Sequence, residues 1–63
     1  MTLTILFENK PRERIEGVYS ISDAYHRIYF HYYVPDRNSS TGVNIETKNY
    51  SKDEIVDILI DMP

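Results

Sequence analysis

A chain of 63 residues without cysteine can enclose only one small core, and it excludes disulfides and thiolate metal sites. Charged residues at 27% and apolar ones at 41% describe a chain that folds rather than a disordered one. Its net charge of −3 argues against a phosphate-binding surface, which normally carries excess positive charge.

The charge is unevenly spread. Lys10, Arg12, Arg14, Arg27 and Arg37 balance Glu8, Glu13, Glu16, Asp23 and Asp36, whereas Lys48 and Lys52 face Glu46, Asp53, Glu54, Asp57 and Asp61. All the net negative charge therefore sits beyond residue 37. No apolar run is long enough to span a bilayer, and the first residues lack the basic start and apolar stretch of a signal peptide. The expected location is the cytoplasm, with no membrane contact.

Thr2 to Phe7 alternates threonine with aliphatic residues, which predicts a strand with Leu3, Ile5 and Phe7 on one face and Leu6 on the other. Pro11 then restricts Lys10 and supplies no amide donor, so Glu8 to Glu13 reads as a polar turn. A second strand is expected over Arg14 to Ile21. Ile15, Tyr19 and Ile21 would share one face, and Arg14, Glu16, Val18 and Ser20 the other. Gly17 in its middle signals a bulge or the close approach of another element. Ser22 to Ala24 suits a hairpin turn.

Tyr25 to Val34 is rich in aromatics and predicts a third strand. Ile28, Phe30 and Val34 at even positions are its natural core residues. Tyr25, Arg27, Tyr29, His31 and Tyr33 then form an outward stripe. Pro35 to Gly42 is a loop of turn-forming residues, and Thr41 to Lys48 a weaker fourth strand with Val43 and Ile45 inward. Asn38-Ser39-Ser40 matches the glycosylation acceptor pattern, a chance match in a turn without a secretory signal.

Ser51 and Glu54 fit a capping box, and Asp53 and Glu54 suit the positive end of a helix dipole. Ile55, Ile58, Leu59 and Met62 would fall on one helical face. The β-branched Ile55, Val56, Ile58 and Ile60 argue for a fifth strand instead. The cap and the acidic first turn favour the helix. The expected fold is thus one small α+β domain over residues 1–63, a four-stranded antiparallel meander with a C-terminal helix on one face.

Nothing in the chain points to catalysis. His26 and His31 stand an odd number of residues apart and would face opposite sides of a strand. No HExxH, GxSxG or glycine-rich phosphate loop is present, so no enzyme activity, metal or cofactor is expected. The stripe Tyr25, Arg27, Tyr29, His31 and Tyr33, extended by Leu6, Val18 and Arg14, is the candidate partner-binding surface. Tyr and Arg give large contact area with little rotamer loss. The expectation is a non-catalytic protein binding itself as a homodimer, or another protein. Stacking of unpaired bases on the same tyrosines is a second possibility, disfavoured by the charge balance. Asp53, Asp57 and Asp61, spaced four apart on the expected helix, would form an acidic surface for a basic partner, as in small inhibitors of DNA-acting complexes.

Overall fold

A computed structural model describes residues 1–61 and is built almost entirely of strands. These are β1 (Thr2–Phe7), β2 (Glu13–Ile15), β3 (Val18–Asp23), β4 (Arg27–Pro35), β5 (Val43–Ser51) and β6 (Ile55–Asp61). A single 3-10 turn, Lys52–Glu54, separates the last two. One antiparallel sheet has the order β2-β1-β6 and the other β3-β4-β5.

The expected helix and four-stranded meander are therefore corrected. The capping box does form in part: the Ser51 amide donates to Glu54 Oε1 at 3.2 Å. It serves one turn only, because the chain beyond it, rich in β-branched residues, extends and pairs Ile55, Ile58 and Ile60 with β1 instead. Met62, assigned to the helical stripe, lies outside the described residues.

The two inner faces meet in one core of Leu3, Ile5, Phe7, Ile15, Val18, Phe30 and Tyr50. Leu3, Ile5 and Phe30 are wholly enclosed. β1 and the even face of β4 behave as their alternation predicts: Ile28, Phe30 and Tyr32 face inward. Lys10 covers one end of this core, its ammonium 4.3 Å from the Phe7 ring centroid and 3.5 Å from Glu54. Such a cation over an aromatic face screens the ring from water while keeping its charge solvated.

Residues 13–23 serve both sheets. β2 pairs with β1, β3 pairs with β4, and Gly17 bends the chain between them. Gly17 has φ +74°, and a Cβ there would lie 2.8 Å from the Tyr33 carbonyl oxygen. Its own carbonyl accepts from the Tyr33 amide at 3.0 Å. Met1 and Val18 close the same corner by exchanging two hydrogen bonds of 2.9 Å. At the opposite corner Lys52 N donates to His26 O and Glu8 N to Glu54 O, each at 3.0 Å. The result is a half-closed barrel rather than a sheet with one bare inner face.

The bend also resets which side chains point inward. Ile15 and Val18 are both buried although three residues apart, so Val18 leaves the face expected for it and opposes Tyr32 in the core. Tyr19 is the extra residue of a bulge and turns outward. In β5 the expected faces are exchanged. Ile45 opposes Tyr33 on the outside, while Glu46, Lys48 and Tyr50 lie on the inner side opposite Tyr32, Phe30 and Ile28.

Lys48 reaches across the opening between the sheets to Glu13, with an N–O distance of 2.5 Å. Hydrogen bonding from Lys48, and then from the Tyr50 hydroxyl, holds the Glu13 carboxyl below its usual range. Glu13 in turn raises the pKa of Lys48. Burial, reinforced by Glu13, pushes the Tyr50 phenol upward.

Two outcomes follow for stability. Gly17→Ala should cost about 2–4 kcal/mol, the left-handed penalty plus the clash with Tyr33, whereas Gly42→Ala, with open space around it, should cost only about 1–2 kcal/mol in urea titration. The Glu13–Lys48 contribution should be intact between the ordinary values of 4.5 and 10.5. It should disappear as acid takes Glu13 through its lowered pKa, and as base takes Lys48 through its raised one. Glu13→Gln should flatten the acid limb of stability against pH and leave part of the alkaline limb, which burial of Tyr50 also feeds.

Candidate functional site

The outer side of β3-β4-β5 is covered by no other element among the described residues. Because side chains alternate along a strand, the pairing of β4 with its neighbours places Arg27, Tyr29, His31 and Tyr33 on this side. They are joined by Ser20 and Ser22 from β3, and by Ile45, Thr47 and Asn49 from β5. The bulge adds Tyr19, whose ring stacks on Tyr33 with centroids 4.5 Å apart and planes 29° apart. Tyr19 and Tyr33 nevertheless remain 44% and 45% exposed, and Ile45 63%.

The polar members of this face are largely satisfied within it. His31 Nε2 lies 3.0 Å from Ser22 Oγ, and His31 Nδ1 3.0 Å from Thr47 Oγ1. The imidazole is thus held between two hydroxyls, one on each flanking strand. Arg27 Nε donates to Asn49 Oδ1 at 2.7 Å. A surface whose donors and acceptors already have partners loses less on being covered than one whose groups depend on water.

Several residues expected on this stripe lie elsewhere. Tyr25 is in the β3–β4 turn, closed by the Ala24 amide on the Arg27 carbonyl, and is 88% exposed with its ring edge-on to His26. The turn falls two to three residues later than the Ser22–Ala24 segment suggests. Val18 is in the core. Leu6 and Arg14 belong to the other sheet, on its outer side with Thr4, Asp57 and Leu59. The missed residue is Tyr19. Its exposure depends on the bulge after Val18, which Gly17 hinted at but did not position.

Without a helix, Asp53, Asp57 and Asp61 no longer share one face at helical spacing. Asp53 is in the 3-10 turn, while Asp57 and Asp61 point outward from β6 opposite Leu6 and Thr2.

A shallow groove of about 440 Å³ lies where β2 meets β4 and β5 and includes Arg14, Tyr32 and Lys48. Both of its cations are engaged, Arg14 with Glu16 at 3.6 Å and Lys48 with Glu13. Among the described residues no three His, Asp or Glu side chains converge on a point where a metal ion could bind. No helix among them is long and apolar enough to cross a membrane. No family model, curated protein or solved structure matches this chain.

Proposed function

We propose that this is a non-catalytic binding protein that pairs with a second copy of itself through the outer face of β3-β4-β5. The observation that carries this reading is the stacked Tyr19–Tyr33 pair, half exposed beside Ile45 on a face where His31, Ser22, Thr47, Arg27 and Asn49 are already hydrogen-bonded across the strands. Stacked rings on a sheet are pre-ordered, so covering them costs little side-chain entropy.

Charge supports a like partner. Among the described residues Arg27 is the one cation of the face, at its margin, and its Nε is already held by Asn49. Two copies related by a twofold axis would meet without a field of like charges between them. A single-stranded nucleic acid would find rings to stack on but no basic track for its phosphates. Burying about 400 Å² of apolar surface per subunit would gain about 20 kcal/mol at about 25 cal/mol per Å². That exceeds association costs of roughly 4–15 kcal/mol.

Sedimentation equilibrium tests the reading directly. The wild-type chain should be dimeric at tens of micromolar, and Tyr19→Glu with Tyr33→Glu should be monomeric while keeping its far-ultraviolet dichroism. Both positions are exposed, so these substitutions leave the core untouched. A wild-type monomer at high micromolar concentration would overturn the proposal.

A further inference from the structure

The second sheet offers a different kind of surface, an open strand edge. β6 pairs with β1 along one side, and among the described residues no strand pairs with the other. The direction of its backbone groups follows from two contacts. Glu8 donates to Glu54, so even-numbered β1 residues turn their amides and carbonyls toward β6. Met1 exchanges its bonds with Val18, so odd-numbered ones turn the other way. Leu59 and Asp57, opposite Thr4 and Leu6, therefore bond β1, while Ile58 and Ile60, opposite Ile5 and Leu3, direct their backbone groups to the free edge.

One observation confirms this phase and adds chemistry. The Ile58 amide donates to the side chain of its neighbour, Asp57 Oδ1, at 2.8 Å. That carboxylate occupies a donor which an added strand would otherwise claim from outside. The apolar side chains along the edge are exposed: Val56 by 65%, Ile60 by 55% and Leu59 by 48%. Ile60 shares the inner side with Leu3, yet it stays more than half exposed among the described residues. The strand has no lysine or proline, the residues that usually guard an edge. By contrast β2 is only three residues long, and β3 is tied at Val18 by Met1.

We propose that the free edge of β6 accepts an extended segment of a partner protein in which Lys or Arg alternates with aliphatic residues. The incoming carbonyls would bond the Ile58 and Ile60 amides. Its aliphatic side chains would cover Ile60 on the inner side. Pairing displaces the Asp57 carboxylate from the Ile58 amide, and a cation on the outer side of the incoming strand replaces the lost donor. A second such cation meets Asp61. Charge also decides against a second copy of β6 in this place. Antiparallel self-pairing would gather Asp57 and Asp61 of both chains on one outer face, four carboxylates within a strand length of about 13 Å.

The test uses the isotopically labelled full chain and the soluble peptide acetyl-Val-Lys-Val-Lys-Val-Lys-Val-amide. Millimolar peptide should shift the Ile58 and Ile60 amide resonances and slow their hydrogen exchange. Asp57 and Leu59, already bonded to β1, should change little. Replacing lysine by glutamate in the peptide should weaken binding about tenfold, and Asp57→Asn with Asp61→Asn should remove most of that difference. Equal affinity for the two peptides, or no protection at Ile58 and Ile60, would overturn the proposal. So would protection of these amides that rises with protein concentration alone, since the occupant would then be another copy. Tyr19→Glu with Tyr33→Glu should leave peptide binding unchanged, which separates this edge from the tyrosine face.

Discussion

One constraint organises this molecule: a single run of chain, residues 13–23, must leave one sheet and enter the other within two residues. Gly17 makes that possible. Its positive φ turns the strand, and its missing side chain admits the Tyr33 backbone to van der Waals distance. From this bend follow the inward pair Ile15 and Val18, the closing bonds of Met1 on Val18, and the bulge that turns Tyr19 out against Tyr33. The candidate interaction face is thus a by-product of how the barrel is bent. A flat β3 would have kept strict alternation and placed Tyr19 and Val18 on sides opposite to those they occupy.

The same economy governs the interior. Among the described residues seven side chains supply the buried core, and a chain of this size has little apolar burial to spare. Polar groups therefore guard the openings between the sheets. Lys10 lies over Phe7 and Tyr50 at one end, and the Glu13–Lys48 pair spans the strands at another. Both ion pairs remain partly solvated, so their value lies in excluding water from ring faces and fixing sheet spacing more than in Coulomb energy. Neither is available to bind a ligand without loosening the fold.

Much of this was legible from residue order alone. The Thr2–Phe7 strand, the even-inward phase of β4 and the special role of Gly17 follow from alternation, aromatic content and the absence of a side chain. What escaped was the effect of bulges on periodicity. Val56 is an extra residue in β6, so the inward Ile55 and Ile58 stand three apart, the spacing of a helical face. The capping box strengthened that impression because it exists, yet it ends after Glu54. Val18 departs from its expected side for a related reason: the positive-φ Gly17 shifts the phase at Val18, and the bulge at Tyr19 restores it by Ser20. In β5, Val43 and Ile45 drew the inward assignment by hydropathy, although register with Tyr33 and Pro35 sends them outward and leaves Tyr50 to fill the core. For the outer face, the composition of β4 was informative and the contribution of its neighbours was not, because that depends on pairing between distant segments.

The pairing of β1 with β6 has a consequence for how the molecule comes into being. Thr2 stands opposite Asp61, so one of the two neighbours of β1 comes from a segment far away in sequence. The hairpins of β3, β4 and β5 join segments close in sequence and can form early. In the other sheet β1 can pair early with β2, but its pairing with β6 joins distant segments, a contact of high order that slows folding. Until that pairing forms, Leu3, Ile5 and Phe7 lack the β6 neighbour that helps to enclose them. The strand that carries Leu3, Ile5 and Phe7 into the core is thus one whose covering depends on a distant segment.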